Sequence, residues 1–265
     1  MLPTVDEIFA EIDGHPLRLS VTLPDGVPHP PLVVWIHGGG WRNGSYKNNR
    51  LAWLTEHGYA TASISYRLTD RATFPAQIHD CKAAIRWLRA HAARLGYDGT
   101  RIAAAGSSAG AHLAMLLGTS AGNAELEGHI GGNLDCSSAV TAVVQYFGPS
   151  DFILRAKTQP HSATSPDRGS FKLLNGHLTG HIDMDLARLA SPAFHVSAES
   201  PPLISIQGLA DDKVLPDQAE RITDAYQAVG RPCELYRVPG AGHGSKQCFE
   251  GEYREAVIRF LQRYL

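Results

Sequence analysis

Gly106-Ser107-Ser108-Ala109-Gly110 stands where a short apolar run, 101–105, gives way to an apolar stretch with helix-forming character. A serine hydroxyl is a poor nucleophile unless it is exposed on a tight turn beside a base. Flanking glycines let the backbone make that strained passage from strand to helix. The serine at the apex also sits by a helix N-terminus, where partial positive charge favours a developing anion. A turn of small residues can serve packing alone, so the strand–turn–helix context is what gives the pentapeptide its meaning. Ser108 holds the central position and Ser107 is its ordinary neighbour.

Working outward, strands and helices alternate. The run 31–36 (Pro-Leu-Val-Val-Trp-Ile) is apolar throughout, as a strand buried on both faces should be. The runs 60–66, 101–105, 139–147, 202–207 and 233–238 read in the same way. Upstream, 5–12 and 17–22 alternate enough to suggest two strands joined at Asp13-Gly14, a hairpin signal. The clearest helix opens at Pro75, places Ile78, Cys81, Ile85, Leu88, Ala92 and Leu95 at spacings of three and four, and stops at Gly96. Further helices are expected after Ser108, over 217–229 and from Phe249 to the C-terminus. About eight strands, the later ones separated by helices, predict an α/β fold: a largely parallel sheet wrapped on both faces, with the first two strands as an antiparallel edge.

The length, 265 residues, suits one α/β domain over 1–265, and 43% hydrophobic with 19% charged residues is ordinary for a globular chain. The net charge of −2 gives no electrostatic case for nucleic acid, and no apolar run reaches the roughly 20 residues of a membrane span. Met1-Leu2-Pro3-Thr4-Val5-Asp6-Glu7 has neither a basic n-region nor an apolar core. It does not read as a leader; a cytoplasmic protein is expected, or a secreted or periplasmic one if a leader has been removed. Cys81, Cys136, Cys233 and Cys248 are scattered, with no CxxC pair or zinc spacing, so free thiols are expected. A homodimer is compatible with these features.

His37-Gly38-Gly39-Gly40-Trp41 directly follows the strand run 31–36. Acyl transfer builds negative charge on a carbonyl oxygen, and a run of glycines lets backbone N–H groups approach it unobstructed. The N–H groups of Gly39 and Gly40, with that of Ala109, are the expected oxyanion donors. A flexible loop or a phosphate cradle is the plainer alternative, but no Lys-Ser/Thr follows as a phosphate loop requires. His37 reads as a structural hydrogen-bonding residue.

Together these stretches resemble α/β-hydrolases of the carboxylesterase and hormone-sensitive-lipase-like type, closest to small bacterial esterases related to feruloyl and acetylxylan esterases. The resemblance covers nearly the whole chain: HGGGW at 37–41, Tyr66-Arg67-Leu68, Phe74-Pro75-Ala76-Gln77-Ile78-His79-Asp80, the Ser108 pentapeptide, Phe147-Gly148-Pro149-Ser150-Asp151 and Ala190-Ser191-Pro192. It implies an α/β-hydrolase fold, with an acid after the seventh strand and a histidine after the eighth. Gln207-Gly208-Leu209-Ala210-Asp211-Asp212-Lys213-Val214 offers the acid, and the family spacing favours Asp211 over the adjacent Asp212. Gly240-Ala241-Gly242-His243-Gly244 offers the histidine. The order Ser108, Asp211, His243 is the one this fold uses. Asp80 and Arg67 also match family positions and are most simply structural ion-pair partners.

The resemblance implies a cofactor-free serine carboxylesterase for short acyl or small aromatic esters, including acetyl or feruloyl groups on plant polysaccharides, with a small-molecule ester as partner. About 36 residues precede His37, too few for the large cap of the hormone-sensitive-lipase-like enzymes. The stretch 150–197, rich in Ser, Pro, Gly and His, is expected to form a small lid or pocket wall with short helices. Trp41, Tyr146, Phe152 and Leu215 are the expected pocket walls. His177 and His181, four apart with Asp183 and Asp185 nearby, would suit a metal only on a helix, and none is expected. An arylformamidase or lactonase would use the same three residues. A prolyl peptidase fits less well, since Ala111 follows Gly110 where those enzymes carry a glycine pair. A non-catalytic receptor has no need of Ser108, Asp211, His243 and the glycine run together.

Overall fold

Leu32, Val33, Val34, Trp35 and Ile36 are all buried, so both faces of the strand Pro31–Ile36 are covered. It lies near the middle of an eight-stranded sheet in the computed structural model, which describes residues 4–265. Met1–Pro3, part of the stretch read for a leader, lie outside the described residues. The strands are β1 (Thr4–Ile12), β2 (His15–Thr22), β3 (Pro31–Ile36), β4 (Ala60–Ile64), β5 (Asp98–Ser107), β6 (Ala142–Tyr146), β7 (Leu203–Gly208) and β8 (Cys233–Val238). Their order is β1-β2-β4-β3-β5-β6-β7-β8. β1 and β2 form the expected antiparallel hairpin, with Asp13 (φ 50°) and Gly14 (φ 74°) both left-handed at its turn. β2 also runs antiparallel to β4, and every later pairing is parallel.

Helices cover both faces. On one, α1 (Ala76–Ala90), α3 (Ala109–Thr119) and α10 (Asp217–Ala228) pack Ile78, Ile85, Leu113, Leu117, Ile222 and Tyr226 against Leu32, Val34 and Ile36. On the other, α11 (Gly251–Tyr264) packs Val257, Phe260 and Leu261 against Val33, Trp35, Ile204 and Ile206. The two sets of β3 residues alternate, as the two-residue period of a strand requires. The helix expected over 75–96 is broken once: α1 ends at Ala90, and a short α2 (Ala92–Leu95) follows, capped by Gly96 with φ 88°.

The segment 150–197 carries five short helices, α5 (Phe152–Thr158), α6 (His161–Thr164), α7 (Gly169–Leu173), α8 (Gly176–Thr179) and α9 (Met184–Leu189). One further short helix, α4 (Ala124–Glu127), lies between α3 and β6. Asp151 and Asp183 cap α5 and α9 through side-chain oxygens. Arg67 and Asp80 form a bidentate pair, with Nη2–Oδ1 at 2.7 Å and the Asp80 side chain fully buried. The four cysteines are unbridged. Among the described residues, no helix is long and apolar enough to cross a membrane.

The strand order places the site. From β3 the chain moves outward to β4 and then back to β5 on the other side of β3. Loops leaving the C-terminal ends of β3 and β5 therefore diverge, and such a switch point opens a crevice at the sheet edge. Ile36 pairs with Gly106, so the glycine run and the Ser108 turn lie side by side.

Candidate active site

Ser108 joins β5 to α3 with φ 53° and ψ −119°, a left-handed backbone that a non-glycine residue adopts only when its surroundings impose it. The imposing contacts are close. A Cβ on Gly106 would run into the Gly110 backbone, and one on Gly110 into the Ile36 carbonyl. Only glycines allow α3 to leave β5 so tightly. The Ser108 N–H is held by the Tyr146 carbonyl at 2.9 Å, and Ser108 is partly exposed while Ser107 and Ala109 are buried.

His243 lies in the loop after β8, and its Nε2 is 3.0 Å from Ser108 Oγ. Its Nδ1 is 2.7 Å from Asp211 Oδ2. The other Asp211 oxygen accepts the N–H groups of Lys213 and Val214, each at 2.9 Å. These bonds fix the carboxylate, which is fully buried, with one oxygen aimed at the imidazole. A carboxylate on Nδ1 makes that nitrogen the donor and leaves Nε2 free to accept from the serine hydroxyl. Asp212, the sequence alternative, is exposed and faces Lys213 at 3.4 Å. The structure thus brings Ser108, Asp211 and His243 into one hydrogen-bonded line.

The glycine run lies against the serine turn: a Cβ on Gly38 would stand 2.9 Å from the Ser107 carbonyl and 3.4 Å from Ser108 Cβ. The Gly39 carbonyl accepts from the N–H groups of Arg42 and Asn43, which curls the loop. Among the described residues, the N–H groups of Gly39, Gly40 and Ala109 donate to no backbone carbonyl. His37 stacks on Tyr66 at 4.4 Å, and its Nδ1 donates to the Gly38 carbonyl at 2.8 Å. Burial holds its pKa below the usual histidine value, so the ring stays neutral and structural.

A cavity of about 450 Å³ opens over this line. Its walls include Gly39, Gly40, Trp41, Phe147, Val214 and His243, together with Asp167, Arg168 and Ser170 from the 150–197 segment. A second cavity, about 530 Å³, lies outside α9 around Asp183, Arg188 and Phe194, away from Ser108.

The BD-FAE family model matches residues 19–226, well over half of the chain. The chain belongs to the BD-FAE family. Esterase LipC of Mycobacterium tuberculosis is similar to this BD-FAE chain, 32% identical over 218 residues, or 81% of this chain and 53% of LipC. The chain spans about half the length of the curated relatives it matches. Among solved structures, a truncated carbohydrate esterase from gut microbiota superposes with a TM-score of 0.84 at 26% identity, covering 98% of this chain and 95% of that one. A bifunctional GH43-CE protein of Bacteroides eggerthii gives 0.85 at 32%, covering 98% of this chain and 38% of that one. The architecture is the α/β-hydrolase fold.

The expected pocket walls fare unevenly in this BD-FAE chain. Trp41 lines the cavity. Tyr146 does not: it points to the far face of the sheet and stacks on Phe249 at 4.2 Å. Its neighbour Phe147 faces the cavity instead, its ring 4.9 Å from that of His243. Adjacent residues at a strand end project to opposite faces, so an assignment off by one moves the side chain across the sheet. Phe152 lies behind the wall, packed on Trp41 (5.8 Å) and His112 (5.1 Å). Leu215 is half-buried outside the cavity, where Val214 takes its place. His177 sits on α8, but His181 follows Gly180, whose φ of 86° has already ended that helix. The spacing of four therefore does not put the two rings on one face. Among the described residues, no three His, Cys, Asp or Glu side chains are placed to hold a metal. Arg50, Arg155, Arg168 and His112 belong to no local pattern that a sequence reveals, and the first three converge on the cavity from separate segments.

Proposed function

We propose that this BD-FAE chain is a serine carboxylesterase hydrolysing short acyl or small aromatic esters through an acyl-enzyme. The observation that carries the reading is the line Ser108 Oγ–His243 Nε2 (3.0 Å) and His243 Nδ1–Asp211 Oδ2 (2.7 Å), both within reach for proton transfer. Ser108 Oγ attacks the ester carbonyl carbon as its proton passes to His243 Nε2. The oxygen, now negative, is held by the N–H groups of Gly39, Gly40 and Ala109. His243 returns the proton to the leaving alcohol while Asp211 stabilises the imidazolium. Water then repeats the sequence on the acyl-enzyme, releasing the acid and restoring Ser108.

The cavity volume, within the range usual for small-molecule sites, supports small acyl groups. The names of LipC and of the carbohydrate esterase support ester hydrolysis, and the latter supports esters borne by a carbohydrate, in keeping with acetyl or feruloyl esters on polysaccharide as the natural class proposed here. In this reading 1–265 form one catalytic unit, and 150–197 supply one pocket wall.

The test is hydrolysis of p-nitrophenyl esters from acetate to laurate, with Ser108→Ala alongside. Turnover should peak at short chains and fall by roughly 10⁴-fold or more in the variant. No turnover of any ester by the wild type overturns the proposal. A peak at laurate overturns its size preference.

A further inference from the structure

Although the chain carries a net charge of −2, the cavity over Ser108 is lined by four cations, Arg50, Arg155, Arg168 and Lys213. They come from four separate segments: the loop after the glycine run, helix α5, the turn before α7 and the loop carrying Asp211. Two carboxylates act on Arg155 from beyond ion-pair distance, Asp211, which is committed to His243 and two backbone N–H groups, and Asp217; the other nearby acids lie at the surface. Asp167 is exposed and 3.9 Å from Arg168 Nε, and Lys213 leans on Asp212 at 3.4 Å.

Arg155 is the most telling of the four. It is only 8% exposed, yet no carboxylate lies within ion-pair distance of it among the described residues. Nε donates to Gln159 at 3.3 Å and Nη2 to the Lys213 carbonyl at 2.9 Å; those bonds brace the Asp211 loop but supply no counter-charge. Burial pushes its pKa down to about 10, so it remains cationic at neutral pH. Arg168 Nε is buried without a hydrogen-bond partner. The Arg50 guanidinium is held against the Phe249 ring at 4.0 Å. Buried cations are costly unless paired, and a planar guanidinium fork matches a carboxylate with two parallel hydrogen bonds.

We propose that the site selects esters bearing a carboxylate beyond the scissile bond, as counter-charge for an Arg155–Arg168–Arg50 wall in which, among the described residues, only Arg168 has a carboxylate within 4 Å, the exposed Asp167. This rests on the esterase reading above. The carboxylate comes from either side of the ester: a half ester of a dicarboxylic acid, or an acylated hydroxy acid such as a uronic acid. Both place the same group in the same wall.

The experiment compares matched pairs on the full chain. On the acyl side, 4-nitrophenyl hydrogen glutarate is set against 4-nitrophenyl valerate. On the alcohol side, 3-acetoxybenzoate is set against 3-acetoxybenzamide. In at least one pair the carboxylate should be preferred by about tenfold or more in kcat/KM, chiefly through KM, as expected for a hydrogen bond between charged groups. The pair that shows it identifies the side. The preference should shrink in about 0.5 M salt and fall at least about fivefold in Arg168→Gln and in Arg50→Gln. Arg155→Gln is a poor arbiter because burial makes it prone to unfold; the partly exposed Arg168 and exposed Arg50 decide. Arg237→Gln, an exposed residue outside the cavity, should leave the ratio as it was. Equal use of both members in both pairs, or a ratio that survives both substitutions, overturns the inference and leaves the esterase reading standing. No turnover of any of the four esters overturns both.

Discussion

The indole N–H of Trp41 donates to Nδ1 of His112 at 3.3 Å, with both side chains buried. The opposite nitrogen of the ring, Nε2, donates to the Ala190 carbonyl at 2.7 Å. A ring that accepts on one side and donates on the other is neutral with a fixed tautomer. His112 lies on α3, the helix that begins after Ser108, so one imidazole ties the serine helix to the loop bearing Gly39 and Gly40 and to the end of α9.

Replacing this ring should therefore disturb catalysis as well as stability. His112→Phe keeps the bulk but leaves the Trp41 N–H and the Ala190 carbonyl unsatisfied, which should cost about 2 kcal/mol in a urea titration. Loosening Trp41 displaces Gly39 and Gly40, and a shift approaching 1 Å costs about 10²-fold in rate. We expect kcat to fall by about 10- to 100-fold with KM little changed. His112→Gln, which can accept and donate in the same directions, should recover much of both losses. A full-activity His112→Phe enzyme would show that the tie does not position the loop.

The same residue gives the fold a pH dependence. Complete burial pulls the His112 pKa from 6.5 to about 4, with desolvation the leading cause. Between those values the unfolded chain binds a proton that the folded chain refuses, so stability must fall as pH falls. The stability is complete above about pH 6.5 and falls progressively down to about pH 4, by which point the loss is about 3 kcal/mol. Urea midpoints measured across pH 4–7 should decline on the acid side, and the slope should flatten in His112→Phe.

Gly169 makes a second tie to the glycine run. A Cβ at this position would run into the Gly40 carbonyl, and the backbone carbonyl of Asp167, two residues earlier, accepts a hydrogen bond from Arg42 Nη1 at 2.6 Å. The 150–197 segment is thus packed directly on the backbone that carries the expected donors. Gly169→Ala must push that backbone aside. Loss of one oxyanion donor costs about 10²- to 10³-fold. A partial displacement should lower kcat by at least about tenfold, while circular dichroism and the urea midpoint show a chain still folded.

How far the sequence reached depends on how local each determinant is. Pro31–Ile36 is readable as a strand because burial on both faces demands an unbroken apolar run. Gly106 and Gly110 are readable because close backbone approach excludes any side chain there. The pocket wall was less legible. Phe147 has a φ of 43°, and this turn at the end of β6 carries its ring into the cavity while Tyr146 stays on the far face. Alternation alone does not reveal such a turn. The arginine wall was invisible for another reason. Arg50, Arg155 and Arg168 are brought together only by tertiary contacts such as the Arg155 bond to the Lys213 carbonyl, so no spacing along the chain marks them.

Asp211 and Asp212 provide the sharpest discrimination between neighbours. Both are carboxylates in one loop, and charge or proximity in sequence does not separate them. Their surroundings do: Asp211 is fully buried, accepts two backbone N–H groups on one oxygen and holds His243 at 2.7 Å on the other. The Asp212 side chain is 77% exposed and leans on Lys213 at 3.4 Å. Asp211→Asn keeps the size, but the amide can present its N–H₂ to Nδ1, which favours the imidazole tautomer that cannot take the serine proton. kcat should drop by about 10³- to 10⁴-fold at neutral pH. Asp212→Asn removes an exposed ion pair worth less than about 1 kcal/mol and should leave kcat within about twofold of wild type. The two single variants, expressed in parallel and assayed on the best p-nitrophenyl ester, decide the assignment. Equal losses in both would mean that the loop as a whole, rather than the Asp211 carboxylate, orients His243.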